Sequence, residues 1–135
     1  MSTLTKVLER NVAEIEKNAD MKEGRFRLGH HLMPPVGWLN DPNGLCWYKG
    51  KYHVFFQYAP FDVEGGLKFW GHYTSVDLVD WKYEGTALYP DSPYDCHGVY
   101  SGSALVEDEK MHLFFTGNVK IDGDYDYINE GRETS

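Results

Sequence analysis

The chain has 135 residues, 41% hydrophobic and 16% aromatic, with ten Tyr, seven Phe and four Trp. That length suits one ordinary domain, and that apolar content excludes a disordered chain except at the ends. Thirteen Lys+Arg against 21 Asp+Glu leave a net charge of −8, which repels phosphate backbones and anionic lipid, so neither nucleic acid nor a membrane is an expected partner.

In chain order, residues 3–19 are expected to form a helix. Leu4, Val7, Leu8, Val12 and Ile15 fall on one stripe of a 3.6-residue period, with Glu9, Arg10, Glu14, Glu16 and Lys17 on the other side. Charges throughout this segment leave no apolar core for a secretory signal, and no run of the chain reaches the length of a transmembrane helix. Residues 18–29 are charged and contain Gly, the composition of a linker. The expected organisation is therefore a helix and linker over 1–29 and a main body over 30–135. Cys46 and Cys96 have no CxxC spacing, so a disulfide framework or cysteine-rich zinc site is not expected. A cytoplasmic protein with reduced thiols fits this usage.

From residue 30 onward, short aromatic and β-branched runs alternate with Gly, Pro, Asn and Asp, the pattern of an all-β fold. Strands are expected at 44–48, 52–58, 69–76, 85–89, 99–106 and 111–116. Tight turns are expected at Lys49-Gly50-Lys51 and at 107–110. Residues 50–58 align with 109–117: Lys51, His53, Phe55 and Phe56 fall on Lys110, His112, Phe114 and Phe115, and Val54 on Leu113. A β-hairpin repeated at this period suggests successive blades of a propeller. A propeller needs about four to eight blades to close, so on this reading the chain is a fragment.

Three segments could carry chemistry. Asp41-Pro42-Asn43-Gly44 has the residue order of a β-turn, in which Asp41 would hold the turn through its own side chain. The alternative places Asp41 at a strand start beside Trp38 and Asn40, where a carboxylate could meet a sugar. Phe69-Trp70-Gly71-His72, with Gln57 upstream, offers the aromatic faces and amide groups that sugars need, although Trp70 would equally suit a core. In 98–104, the small residues around Tyr100 and Ser101 permit close approach by a backbone or a ligand. A serine nucleophile elbow is excluded, because Gly98 lies three residues before Ser101 and the G-x-S-x-G order is not met. Asp122, Asp124, Asp126 and Glu133 follow the spacing of a calcium loop, but Tyr127 stands where that loop needs Gly and no helices flank it. The six His residues show no zinc spacing. No metal and no cofactor are expected.

Together, GWLNDPNGL at 37–45, KYHVFFQYAP at 51–60, FWGHYTSVDLVDW at 69–81 and GVYSGSA at 98–104 resemble the N-terminal part of glycoside hydrolase family 32, the invertase and fructan-hydrolase family. The likeness is nearest to its bacterial sucrose-6-phosphate hydrolases and covers almost everything from 31 to 117. The resemblance implies a five-bladed β-propeller backed by a β-sandwich, of which this chain would hold the helix, the first blade and the start of the second. It implies that Asp41 is the nucleophile of a retaining hydrolase acting on sucrose or sucrose 6-phosphate. Asn40 would flank it and hold the fructosyl unit, Trp38 and Leu39 would line the pocket, and Gln57 would bind fructose hydroxyls. Tyr100 and Ser101 would complete the wall, with Trp70 as a further wall residue. Many relatives carry another Trp where this chain has Gly65.

The family takes its acid/base from a Glu-Cys motif and a stabilising Asp from Arg-Asp-Pro, and neither pattern occurs in these residues. Asp95-Cys96 has the wrong acid and precedes the Tyr-Ser-Gly-Ser segment. Without a proton donor the chain is expected to be inactive alone, since that group commonly contributes about 10²–10⁴-fold. Unpaired blade edges would invite self-association. Two other readings remain open: a fructoside-binding module without turnover, and a structural β domain in which the aromatics are core and Asp41 caps a turn.

Overall fold

The computed structural model describes residues 2–19, 27–28, 31–126 and 129–135. Most of the expected linker, together with His30 and Tyr127, lies outside the described residues. Helix α1 spans Thr3–Asn18 and starts where Ser2 accepts the Thr5 N–H through its side chain at 3.0 Å, satisfying one of the donors a helix start leaves open. Its buried face keeps only part of the expected stripe, with Val12 in the core and Leu8 packed against it. Thr5 and Val12 are buried, whereas Leu4 and Val7 are exposed. Glu16, expected on the solvent side, turns inward and accepts hydrogen bonds from the Tyr58 and Tyr83 hydroxyls at 3.0 and 2.7 Å. The phenols of buried Tyr58 and half-buried Tyr83 need an acceptor, and Glu16 supplies it by turning this face of the helix inward.

Strands β1 (Trp38–Tyr48), β2 (Lys51–Ala59), β3 (Phe69–Ser75) and β4 (Lys82–Leu88) form an antiparallel sheet in chain order. Strands β5 (Val99–Glu107), β6 (Lys110–Lys120) and β7 (Arg132–Thr134) form a second meander, also antiparallel. Both expected hairpins are present. Each turns through two residues of positive φ, Lys49 and Gly50 in the first, Asp108 and Glu109 in the second, the geometry that matches strand twist in two-residue loops. The two sheets thus repeat one plan, with β2 and β6 as equivalent strands. The fold is all-β with one N-terminal helix.

The turn expected at 41–44 does not form; these residues lie within β1. The ladder to β2 slips between Leu39 and Pro42 and again between Asn43 and Cys46. Pro42 has no N–H to give, and β1 tolerates it because it is an edge strand of its sheet. Strand β7 escapes sequence reading because Arg-Glu-Thr is short, polar and exposed.

Alternation along β2 divides the core. Phe56 and Tyr58 face α1 and pack with Val12, Phe69 and Tyr73. Phe55 faces the second sheet and packs with Trp70 and Val99, joined by Leu88, Met111 and Leu113. This second cluster brings β1 and β5 side by side and places the candidate site where they meet.

Candidate active site

Two slips in the β1 ladder within a few residues re-aim the side chains of Asn40, Asp41 and Asn43. Asp41 is exposed, and both of its carboxylate oxygens accept a hydrogen bond. Ser101 Oγ–H donates to Oδ2 at 2.7 Å, and Asn40 Nδ2–H donates to Oδ1 at 3.0 Å. Gln57 Nε2–H in turn donates to Ser101 Oγ at 3.0 Å. Gln57 is buried on the β2 face that looks toward the second sheet, so its amide is fixed by packing and by this bond. A relay therefore runs from β2 through β5 to β1, ending on a carboxylate open to solvent. It brings Asn40, Asp41, Gln57 and Ser101 together, although they come from three separate sequence segments.

Asn43 was not singled out as a site residue, yet it ties the site down. Its Nδ2–H donates to the Asp41 carbonyl at 3.0 Å and its Oδ1 accepts the Gly102 N–H at 3.3 Å. Asn43 is buried, so its amide serves as a cross-brace between β1 and β5. Gly102 lets its own strand lie close to β6: a Cβ there would fall 1.9 Å from the Phe114 carbonyl oxygen. The sequence signal for this brace was an amide beside a proline and a glycine beside a serine. Those pairs read more readily as turn residues.

Two expected wall residues stand elsewhere. Trp70 is fully buried and offers no ring face to a sugar. Its indole N–H donates to the Tyr100 carbonyl at 3.0 Å, so it reaches the site only by positioning Tyr100. Leu39 pairs with Tyr58 in the β1–β2 ladder and packs against the core that faces α1. Cross-strand partners share a face, and Tyr58 points opposite to Gln57, so Leu39 is turned from the relay. Trp38 and Tyr100 are half-buried, and their rings lie 5.1 and 5.6 Å from the Lys68 ammonium. Lys68 was not singled out either.

An accessible carboxylate held on both oxygens can attack an electrophilic carbon, and the amides and hydroxyl beside it can pair with the hydroxyls of a polyol. The sequence signature of the glycosyl hydrolases family 32 N-terminal domain matches residues 31–131. The chain belongs to glycoside hydrolase family 32. Its family 32 relatives include the sucrose-6-phosphate hydrolase of Bacillus subtilis (strain 168), 52% identical over 108 residues, which covers 79% of this chain and 22% of that protein. Among solved family 32 structures, a variant of the Bombyx mori β-fructofuranosidase in complex with sucrose superposes with a TM-score of 0.82. It is 35% identical and covers 96% of this chain and 26% of its own. The sucrose-6-phosphate hydrolase of Lactobacillus gasseri gives a TM-score of 0.74 at 40% identity, covering 84% of this chain and 23% of its own. The chain thus spans about a fifth to a quarter of the length of these family members.

Among the described residues, no three His, Cys, Asp or Glu side chains form a group that could hold a metal. Nor is any described helix long and apolar enough to cross a membrane.

Proposed function

We propose that this chain carries the nucleophile and part of the fructose pocket of a retaining β-fructofuranosidase acting on sucrose or sucrose 6-phosphate. The observation that carries this reading is the Gln57–Ser101–Asp41 relay, which ends on an exposed carboxylate inside the family's Trp-x-Asn-Asp-Pro-Asn-Gly motif. In the first step an Asp41 oxygen bonds to the anomeric carbon of the fructosyl unit while the bond to the glucosyl oxygen breaks. That oxygen takes a proton from a carboxylic acid as it leaves. Water then attacks the fructosyl-enzyme, the same acid acting as base, and Asp41 is released. Asn40 and Gln57 hold fructose hydroxyls, and Ser101 keeps the carboxylate aimed.

No Glu-Cys dipeptide occurs in these 135 residues, and the reading assigns the proton donor to a carboxylate beyond this chain's motifs. Residues 30–135 then correspond to the first blade and the start of the second in a five-bladed propeller, with 1–29 as helix and linker. Strand β4 pairs only with β3 among the described residues, and its open edge is where self-association would occur. A phosphorylated disaccharide as substrate agrees with a cytoplasmic setting.

The test is binding and turnover of sucrose and sucrose 6-phosphate by the chain, with Asp41→Asn as control. Binding without release of reducing sugar supports the reading. Turnover that Asp41→Asn abolishes would place the acid within these residues. Binding to neither sugar would leave a structural β domain and sink the fructoside site.

A further inference from the structure

Asn43-Gly44 is the only Asn-Gly pair in the sequence, and the fold makes a specific demand on each residue. Position 43 needs an amide, because Asn43 donates to the Asp41 carbonyl and accepts the Gly102 N–H from the other sheet. Position 44 needs glycine. Its φ is +52°, and a Cβ there would fall 2.8 Å from a Phe55 ring carbon and 3.4 Å from Trp70. Gly44 also sits in the slip of the β1 ladder between Asn43 and Cys46. Docking of the two sheets therefore requires, close to Asp41, a dipeptide whose side chain can react with its own backbone.

The reaction needs no partner but water. The Gly44 backbone nitrogen gives up its proton to solvent and bonds to the Asn43 Cγ. A glycine, having no side chain, leaves that nitrogen unhindered. The Asn43 Nδ2 takes up a proton and leaves as ammonia, and an imide ring remains. Water then adds to either ring carbonyl and opens it to aspartate or isoaspartate. Closing the ring requires the amide to turn back on its own backbone. In the folded chain Asn43 is buried within β1, and its amide is bonded at both ends, at 3.0 and 3.3 Å. The ring closes only after β5 lifts from β1 and releases that amide. Such partial openings occur in folded chains at a fraction of the cost of global unfolding.

We propose that Asn43 is a spontaneous deamidation site gated by sheet docking: when β5 parts from β1 the amide is lost, and its acidic product keeps the Asp41 site from re-forming. An aspartate at this position has no N–H for the Asp41 carbonyl, and it sets an unpaired negative charge in a buried place beside a second carboxylate. Isoaspartate lengthens the β1 backbone between Asp41 and the Gly44 contact with Phe55. The deamidation is independent of the fructoside reading above, and its effect on sugar binding rests on that reading.

The experiment follows the Asn43 peptide by mass spectrometry while the chain stands at mildly alkaline pH, folded in buffer or unfolded in guanidinium chloride. In the unfolded chain Asn43 is expected to convert faster than the other asparagines. In the folded chain it should convert at least about tenfold more slowly. Leu113→Ala, on β6 in the cluster that joins the sheets, is expected to raise the folded rate severalfold. Val12→Ala, in the cluster on the helix side, is expected to leave that rate unchanged, which separates undocking from global unfolding. Melting temperatures check that both variants are folded. Asn43→Asp, which reproduces one product, is expected to bind sucrose or sucrose 6-phosphate at least about tenfold more weakly than wild type. Equal rates in folded and unfolded chains, or equal acceleration by the two variants, overturns the docking gate. Conversion in the unfolded chain no faster than at other asparagines overturns the site itself. Wild-type affinity in Asn43→Asp overturns the effect on sugar binding. A wild type that binds neither sugar removes the fructoside reading, while the conversion rates still decide the gated deamidation.

Discussion

Ser101 donates its hydroxyl to Asp41 at 2.7 Å across the junction of the two sheets, from 60 residues along the chain. The same oxygen accepts the Gln57 amide at 3.0 Å, so one hydroxyl orients two groups at once. A carboxylate on an edge strand would otherwise rotate freely into solvent. The second sheet restrains it, and the site forms only when β5 docks against β1.

Ser101→Ala removes that restraint. Asp41 Oδ2 and the Gln57 amide both lose a partner, and a hydrogen bond to a charged group contributes about 1.5–3 kcal/mol. Fructoside affinity is expected to fall about tenfold or more, read by calorimetry on a variant whose melting temperature is checked. Unchanged affinity would separate the Ser101–Asp41 bond from sugar binding.

Asn43→Ala addresses the docking itself. Loss of the amide leaves the Gly102 N–H without its side-chain acceptor and the Asp41 carbonyl without its donor. Asp41 and Gly102 are exposed, so water can replace part of what is lost, and each bond contributes about 0.5–1.5 kcal/mol. Urea unfolding should show that loss in the midpoint with little change in slope. A variant as stable as wild type would mean that the Phe55, Trp70 and Val99 cluster alone holds the sheets together.

Glu16 performs the corresponding role on the opposite face of the first sheet. Burial and the Glu16 charge hold the Tyr58 and Tyr83 hydroxyls well above the ordinary tyrosine range. The folded chain therefore keeps those two protons more tightly than the unfolded chain, so their contribution is complete below pH 10 and declines as pH rises beyond it. Tyrosinate absorbance from these two residues is expected to appear only together with unfolding. In Glu16→Ala both hydroxyls lose their acceptor, and stability at neutral pH should fall by about 2–3 kcal/mol. Normal phenol titration in the folded protein would contradict the burial of these rings.

The sequence made the repeated hairpins legible because both turns need residues tolerant of positive φ, and Lys49-Gly50 and Asp108-Glu109 stand between runs of alternating aromatics. It also pointed to Asp41, Gln57 and Ser101, through motifs rather than through any local rule. What it hid depends on neighbours distant in the chain. Pro42 and Gly44 have turn chemistry, and only the edge position of β1 lets them lie in a strand. Helical periodicity sees Glu16 as a solvent residue, because nothing local announces the two phenols opposite. Trp70 and Leu39 looked like pocket walls because the motif contains them, but the pleat assigns each to a core. Lys68 has no motif, and its place becomes visible only when Trp38 and Tyr100 are brought to either side of it.

The outer end of the first sheet yields a prediction at acid pH. His53 Nε2 lies 3.2 Å from the Tyr48 carbonyl, which can only accept, so that nitrogen carries the proton. His53 Nδ1 then accepts the His72 Nε2–H at 2.9 Å, and the His72 ring stacks on Phe55 with centroids 4.2 Å apart. Burial first, and the neighbouring His53 second, push the His72 pKa down from 6.5 to about 4, with Glu84 pulling the other way and Lys51 adding to the fall. The unfolded chain binds this proton more readily than the folded one. The stability from a neutral His72 is therefore complete above pH 6.5, declines as pH falls, and is lost by about pH 4. His72→Phe keeps the stacking and removes the titration. Its melting temperature should lie below wild type at pH 7, where the His53 bond is lost, and the gap should close or reverse between pH 6.5 and 4. Parallel pH profiles for the two proteins would show that His72 accepts its proton in the fold as easily as outside it.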